Sequence, residues 1–395
     1  MASATRGGAV RRVLILGGRA PVALDHARRF HAQGWQVHVA DSVPCRLSTW
    51  SSSVHAGHSI APPRWAPRQF VDDLARIVRS QRIDLLLPTC EEALHLSRHR
   101  PALPRELRVA VDYFDLLSAL HSKWAFLALA REHGMPVPES ARVGSLDAAR
   151  EWAGGAAVVL KPEFSRFGVH VRLFPDGIPA NAAPLRALGH WVVQSLQRGD
   201  ELCSYAIAHR GQVLAHAAYR PRYRLGRSAS YYFEPVAFPA GMQEAVASLV
   251  RGIGYTGQLS LDWIVGRDGV ARALECNPRA TSGLHLFSRE AALPDALLGE
   301  TVARQMPATT PRMIAPVMLG PGLLHARRHG AIAQWRADWQ RATDVITAPG
   351  DRAPALGALA DLAAYAGLAV RDRCSLRQAS THDIEWDGEP LEQVR

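Results

Sequence analysis

A short acidic hairpin constrains this chain more than any other segment. Gly257–Val265 and Val270–Asn277 alternate apolar and polar residues, as half-buried strands do. Asp268-Gly269 between them favours a two-residue turn, because both residue types tolerate a positive φ. With that turn, Asp262 falls directly opposite Glu275, and their Cβ atoms lie about 5 Å apart.

The two faces of this hairpin are predicted to differ in chemistry. Asn277 follows Glu275 by two positions and therefore shares its face. The opposite face is expected to be apolar and to contain Leu261, Trp263, Val265, Leu274 and Cys276. Like charges directly opposite each other destabilise a sheet, whereas oxygen ligands of this kind suit Mg²⁺. The residues alone leave a metal site and a solvated acidic face both open.

The first 120 residues alternate short apolar runs with helical patterns. The predicted strands are Val13–Leu16, Gln36–Ala40, Ile83–Leu87 and Leu107–Val111. This order predicts a Rossmann-like parallel sheet covered by helices on both faces. Gly17-Gly18 and Asp41 imitate a dinucleotide-binding fingerprint, but the third glycine is missing, so a substrate-side α/β domain is favoured over NAD binding.

From Ser122 onward the pattern changes. Ser122 is predicted to cap a helix that begins with Lys123. Further strands are predicted at Ala156–Leu160, Trp191–Ser195, Leu202–Ala208 and Gln212–Tyr219. We therefore expect a mixed α/β and α+β chain with three parts: 1–120, 121–305 with antiparallel sheets and helices, and a small, mainly helical region at 306–395.

Lysine usage singles out two positions. Of 46 lysine and arginine residues, only Lys123 and Lys161 are lysines, and asparagine also occurs only twice, at Asn181 and Asn277. A chain rich in Arg, Ala, Gly and Pro suggests a GC-rich coding sequence that erodes lysine. A lysine that persists is a candidate for a place that needs a compact ammonium group.

Composition narrows the class of protein. The formal net charge is +10, but the arginines are dispersed, so a nucleic-acid partner is not expected. No apolar run reaches the roughly 20 residues of a membrane span. The five cysteines show no CxxC spacing, which argues against a disulfide framework or a cysteine zinc site. We expect a cytoplasmic protein without a membrane partner.

Several motifs of this sequence together resemble the ATP-grasp superfamily, to which D-alanine–D-alanine ligase, biotin carboxylase and carbamoyl phosphate synthetase belong. They are Leu274-Glu275-Cys276-Asn277-Pro278-Arg279 with Asp262 upstream, Leu160-Lys161-Pro162, and Val193-Gln194-Ser195-Leu196 leading to Gly199-Asp200-Glu201. The resemblance covers roughly residues 10 to 305. It implies a Rossmann-like domain followed by an ATP-grasp domain.

The resemblance also implies a nucleotide site. Lys123 and Lys161 would contact the ATP phosphates, and Glu201 would accept hydrogen bonds from the ribose hydroxyls. The adenine edge would meet the hinge formed by Gln194, Ser195 and Leu196. An acid often stands where this chain has Gln194, and the loop after Lys161 is usually rich in glycine. Here that loop includes Ser165 and Arg166, and Arg166 is expected to supply charge in place of backbone N–H groups.

The metal and transfer roles follow from the same resemblance. Asp262, Glu275 and Asn277 would hold two Mg²⁺ ions, with Mn²⁺ as an alternative and Glu275 bridging. Arg279 would steady the transferred phosphoryl group. Each role suits its residue type, because carboxylates bind Mg²⁺ and a guanidinium fork binds a planar oxyanion.

The predicted function is an ATP-dependent carboxylate–amine ligase acting on small molecules. Superfamily members form an acyl phosphate, which a nucleophile then attacks. Among the arginines of the 220–227 stretch, Arg220, Arg222 and Arg224 would share one strand face, and Arg220 and Arg222 are the predicted substrate clamps; a solvated charge run is the alternative. A bicarbonate-activating enzyme and a non-catalytic nucleotide-binding protein remain open, as does a homodimer.

Two further acids and a histidine are weaker candidates for residues that contact the substrate. Glu91 and Glu92 could meet an amine substrate, but acids are equally expected at a helix N-terminus because of its dipole. His285 follows the acidic hairpin, and a packed or surface histidine is favoured there over a site residue.

Overall fold

The computed structural model describes residues 10–165, 170–186, 189–226 and 229–391. The chain forms two compact units. The described residues of 1–111 form the first unit together with 345–385 and 391, and those of 112–344 form the second together with 386–390. The domain limits proposed from sequence stay a prediction, since compactness alone does not define them.

The first unit contains a parallel sheet with the strand order β3-β2-β1-β4-β5. Its strands are β1 (Arg12–Leu16), β2 (Gln36–Asp41), β3 (Ala56–Ser59), β4 (Leu85–Leu87) and β5 (Arg108–Val109). Its first helices are α1 (Pro21–Ala32), α2 (Pro67–Gln81) and α3 (Glu92–His99). The apolar run of β1 is fully buried, as expected for a central strand covered on both faces. The parallel sheet predicted from sequence is confirmed, and β3 is an additional strand.

The second unit begins with a four-stranded antiparallel sheet of order β6-β9-β7-β8. The strands are β6 (Ser140–Val143), β7 (Val158–Pro162), β8 (Arg172–Phe174) and β9 (Trp191–Ser195). The helices of this part are α4 (Phe114–His121), α5 (Lys123–Glu132) and α6 (Leu146–Ala153). The hydrophobic core of this part includes residues of β7 and β9, namely Val158, Leu160, Trp191 and Val193. The apolar faces of these two strands therefore pack into one core.

A seven-stranded sheet completes the second unit, with the order β14-β13-β10-β11-β12-β15-β16. Its strands are β10 (Gly199–His209), β11 (Gln212–Leu225), β12 (Ala229–Pro235), β13 (Gly257–Gly266), β14 (Ala271–Asn277), β15 (Arg312–Met313) and β16 (Thr343–Asp344). The helices are α7 (Met242–Gly252), α8 (Leu293–Leu298), α9 (Ala315–Val317), α10 (Leu323–Arg328) and α11 (Ile332–Arg341). Pairing is antiparallel except between β15 and β16. The predicted mixture of parallel and antiparallel sheets with helices is thus confirmed.

The C-terminal helices belong to the first unit. They are α12 (Pro354–Arg371) and α13 (Leu376–Ala379). Near the chain end, Asp383 makes a bidentate ion pair with the buried Arg19, whose Nη1 and Nη2 each lie 2.7 Å from the carboxylate. Arg19 also binds Asp41 at the end of β2, with its Nε 2.9 Å from Oδ1.

These contacts explain the residues that imitated a dinucleotide fingerprint. Asp41 is the counter-ion of Arg19. Gly17 has φ +73°, and a Cβ there would lie 2.6 Å from Thr89 Oγ1, so close packing and backbone conformation both require glycine. None of the helices in the described part of the chain combines the length and hydropathy of a membrane span.

Candidate nucleotide and metal site

A cavity of about 840 Å³ lies in the second unit. This volume is within the range usual for small-molecule sites, roughly 300–1,000 Å³. Of the residues that sequence reasoning selected, the cavity is lined by Lys123, Lys161, Ser165, Gln194, Ser195, Leu196, Glu201, Asp262, Glu275, Asn277 and Arg279. These residues come from five separate segments of the chain, and both antiparallel sheets contribute to the wall.

The acidic hairpin is formed by β13 and β14, and Asp262 pairs directly with Glu275 as predicted. The route to that pairing differs from the prediction. Near the turn Val265 pairs with Ala271, which corresponds to a three-residue loop rather than a two-residue one. A β-bulge between Asp262 and Trp263 then shifts the register back by one residue. The two departures cancel at the acidic pair.

The bulge also changes the predicted apolar face. Leu274 is the extra residue at the bulge, and it lines the cavity beside Glu275. Leu261, Trp263 and Cys276 are buried, as expected for the apolar face. Whether the Leu274 side chain lies on that face stays a prediction, because the bulge interrupts the alternation there and the contact with Lys161 is made by the Leu274 carbonyl.

Asp262 and Glu275 repel each other in a confined space. Burial and the neighbouring Glu275 carboxylate raise the pKa of Asp262 to about 7. Arg279 lies beside them and donates from Nη2 to Asn277 Oδ1 at 3.1 Å. No group of three or more His, Cys, Asp or Glu side chains that could hold a metal occurs among the described residues. The candidate ligand set is therefore two carboxylates and one amide oxygen.

Both lysines line this cavity. Lys123 is the first residue of α5, and Ser122 caps that helix by accepting from Ala125 N–H at 3.0 Å, as predicted. Lys123 Nζ donates to Ser165 O at 2.8 Å and lies 3.6 Å from Glu275 Oε2. Lys161 Nζ, on β7, donates to Leu274 O at 3.4 Å. Burial lowers the pKa of Lys161 to about 8, against the attraction of Glu275.

The predicted hinge lies at the end of β9. Gln194 is buried and donates from Nε2 to Ser140 Oγ at 3.2 Å. The backbone N–H groups of Ser195 and Leu196 donate to Glu139 O and Ala157 O, so both serve the sheet. Direct adenine contact by these residues remains a prediction.

Comparison with known proteins bears on the fold. No protein-family model and no curated protein matches this sequence. Solved structures do match: N5-carboxyaminoimidazole synthetase from Staphylococcus aureus is 14% identical with a TM-score of 0.62, over 81% of this chain and 85% of that one. An L-amino acid ligase from Bacillus licheniformis is 14% identical with a TM-score of 0.60, over 77% and 79%.

A third match extends the group. Biotin carboxylase from Campylobacter jejuni is 13% identical with a TM-score of 0.58, over 73% of this chain and 70% of that one. Similarity at such low identity is a statement about backbone architecture, and it agrees with the sequence motifs. The chain has the ATP-grasp fold.

Within this ATP-grasp fold, the arginine run of β11 does not have the predicted common face. Arg220 and Arg222 do not line the cavity. Arg220 lies 3.1 Å from Asp200, and Arg222 lies 2.7 Å from Asp338. Arg224 instead lines the cavity and forms an ion pair with Glu201. The clamp roles of Arg220 and Arg222 remain predictions without a cavity contact to support them.

Several cavity residues were not identified from sequence. Cys203 pairs directly with Asp262 across β10 and β13, and burial together with that carboxylate raises the pKa of its thiol. Tyr219 and Phe233 add aromatic surface to the wall. The alternation of the β10 strand could have placed Cys203 on one face, but its register against Asp262 depends on tertiary pairing.

The remaining candidates lie elsewhere. Glu92 begins α3 and accepts from the N–H groups of Thr89 and Cys90 at 2.9 Å, which fits the helix-terminus alternative. His285 is buried and stacks on Phe233 with ring centroids 6.0 Å apart, which fits the packed alternative. Arg166 and Arg227 fall outside the described residues.

Proposed function

We propose that this protein is an ATP-dependent ligase that activates a small carboxylate and joins it to an amine. The observation that carries this proposal is the convergence, in one cavity, of Lys123 and Lys161 with Asp262, Glu275 and Arg279. A triphosphate needs cations around it, and phosphoryl transfer depends mainly on positioning and charge neutralisation.

The donor set fits Mg²⁺. Asp262 and Glu275 lie directly opposite each other and offer the carboxylate oxygens that Mg²⁺ prefers, and a divalent cation between them would relieve the repulsion that raises the pKa of Asp262. Asn277 lies on the next residue of the same face, opposite Ser260, and supplies a third oxygen. Bound Mg²⁺ would neutralise phosphate charge; two ions bridged by Glu275, or Mn²⁺ in their place, are part of this proposal.

Each remaining residue has a task that its position supports. Lys123 and Lys161 would hold the phosphate chain from two walls, and Arg279 would bind the oxygens of the phosphoryl group in transfer. Glu201 would accept from the ribose. The hinge of Gln194, Ser195 and Leu196 would border the adenine, and Ser165, which accepts from Lys123, would lie near the phosphates.

The reaction would proceed in two displacements. A carboxylate oxygen attacks the γ-phosphorus, and the bond to the ADP oxygen breaks, giving an acyl phosphate. The amine nitrogen then attacks the acyl carbon, the C–O bond to phosphate breaks, and the amine loses a proton. The chain contributes charge, alignment and exclusion of water, since an acyl phosphate exposed to water would hydrolyse.

Bicarbonate is a second candidate for the acid. One matched structure, the biotin carboxylase domain of a 2-oxoglutarate carboxylase, contains MgADP, ADP and bicarbonate. The chemistry of activation would be the same, because bicarbonate would also be phosphorylated on oxygen before transfer to a nucleophile.

A substrate screen tests the proposal. We expect Mg²⁺-dependent ADP release from ATP that requires a carboxylate and an amine from a panel of amino acids and simple carboxylates. Lys161→Met should abolish it, while Arg272→Met should retain it, because Arg272 lies on the same hairpin but pairs with Asp268 at the surface. Release driven by bicarbonate without another acid would favour the second candidate. Nucleotide binding without any acid-dependent turnover would contradict the ligase.

A further inference from the structure

Strand β11 carries three arginines at alternate positions, and regular alternation would place them on one face. Arg220 lies 3.1 Å from Asp200, Arg222 lies 2.7 Å from Asp338, and neither lines the cavity. Arg224 instead lines the cavity and pairs with Glu201, so the contacts of the three arginines depart from that alternation.

The break lies at Tyr223, which has φ +50°. A bulky residue rarely adopts this left-handed conformation, and it persists only where surrounding contacts impose it. The side chains of Arg222 and Tyr223 would normally lie on opposite faces. Instead both reach the same acceptor, Asp338 of α11.

Asp338 is the anchor of this conformation. Its side chain is fully buried, and it accepts from Arg222 Nη1 and Nη2 at 3.1 and 2.7 Å and from the Tyr223 hydroxyl at 2.8 Å. Gln334 Nε2 and Arg341 Nη2 each donate to it at 3.1 Å. The Arg222 guanidinium lies over the Tyr223 ring, 5.5 Å from its centroid, which ties the two neighbours together.

We propose that Asp338 is a positioning residue for the ribose end of the nucleotide cavity. By holding Arg222 and Tyr223 on one side, Asp338 keeps Tyr223 in its reversed conformation and turns Arg224 into the cavity. Arg224 then fixes the carboxylate of Glu201, which would accept from the ribose hydroxyls. This inference rests on the proposed function, because it requires that the cavity bind an adenine nucleotide.

Ribose discrimination separates positioning from a merely structural role. Calorimetric titration would compare Mg·ADP with the Mg²⁺ complexes of 2′-deoxy-ADP and 3′-deoxy-ADP. A hydrogen bond to a charged acceptor changes affinity by about tenfold or more, so the natural chain should bind ADP about tenfold more tightly than at least one deoxy analogue. Asp338→Asn and Arg224→Met should each reduce that ratio to below about twofold, by the same reasoning.

The variants are chosen so that folding does not decide the result. Tyr223→Phe removes one hydroxyl and leaves the buried carboxylate with its other donors, so it should fold and still lose at least half of the discrimination. Arg341→Met is the matched control, because it also removes a donor to Asp338 but does not touch β11. The control should keep the ratio of the natural chain.

Each outcome decides the inference. A ratio that collapses in Asp338→Asn, Tyr223→Phe and Arg224→Met but not in Arg341→Met supports it. A natural chain that binds Mg·ADP without discriminating the ribose, or folded Asp338 and Tyr223 variants with an unchanged ratio, overturns it and leaves the proposed ligase standing. Failure of the natural chain to bind Mg·ADP overturns both.

Discussion

In the first unit a buried arginine lies between two carboxylates, whereas in the second unit two carboxylates face each other. Arg19 meets Asp41 and Asp383 with short, well-aligned hydrogen bonds, and Ser42 adds another to Asp383. Burial alone would raise the pKa of Asp383, but the hydrogen bonds and charge of Arg19 outweigh it and lower the pKa.

The acidic pair of the cavity shows the opposite outcome. Lys123 lies 3.6 Å from Glu275, but burial and Glu275 still raise the pKa of Asp262 to about 7. Arg19 donates directly to both of its carboxylates, whereas the lysines of the cavity act on Glu275, whose pKa they lower, and leave Asp262 with a carboxylate as its cross-strand neighbour. A carboxyl group with a perturbed pKa in a cavity is typical of a functional site. The difference supports the proposal that the cavity, rather than the Arg19 cluster, is the functional site.

The largest effect that tests this comparison is expected from Asp262→Asn. ADP release should fall by about 100-fold or more, as when charged groups that steady a transferred phosphoryl group are removed. The thermal unfolding midpoint at pH 8 should not fall, because the substitution removes a repulsion. Coupled-enzyme assay and calorimetry measure the two quantities. Asp268→Asn, in the turn of the same hairpin, is the control, and a variant with near-normal turnover would contradict the metal role.

A smaller effect, confined to stability, is expected from Asp383→Asn. Removing one partner of a buried ion pair leaves Arg19 with reduced compensation, so the free energy of unfolding should fall by roughly 3 kcal/mol. Urea unfolding measures it. Asp372→Asn serves as the control, because Asp372 pairs with Arg371 at the surface, and its effect should be negligible. Equal free energies of unfolding for the two variants would show that the Arg19 cluster does not stabilise the fold.

The smallest effect is the dependence of stability on pH, which should have opposite signs for the two clusters. The folded pKa of Asp383 is below its unfolded value near 4, so its contribution is present above pH 4 and is lost as the pH falls. The folded pKa of Asp262 is raised to about 7, so the folded state holds an extra proton and stability falls as the pH rises from 4 to 7.

Urea unfolding between pH 3 and 8 checks both signs. Asp262→Asn should flatten the curve above pH 4, and Asp383→Asn should flatten it below. A curve that keeps both slopes in both variants would show that other groups control the titration.

Predictions from local sequence patterns are confirmed where the feature depends on a single helix or strand. The cap at Ser122 and the burial of Val13–Leu16 follow from propensity and periodicity, which act within a few residues. The Asp262–Glu275 pairing was predicted correctly, but from a two-residue turn that the hairpin does not have. The register offset of the longer turn is cancelled by the bulge before the acidic pair. A bulge is hard to foresee because it depends on how the strand packs against its neighbours.

Long-range contacts account for what was missed. Arg224 lines the cavity, and Tyr223 before it has a left-handed conformation and donates to Asp338, which is more than one hundred positions away in the chain. Similarly, Asp383 reaches Arg19 across most of the chain length. Neither partner has a sequence signal of its own, because a lone aspartate in a helix or tail is normally solvated.

The order of strands, helices and charged motifs was set by the sequence, since each depends on short-range preferences that survive any change in packing. Tertiary structure alone decided which charged side chains are paired with each other and which of them line the cavity. That outcome depends on burial and on partners distant in the chain, and both exist only in the folded structure.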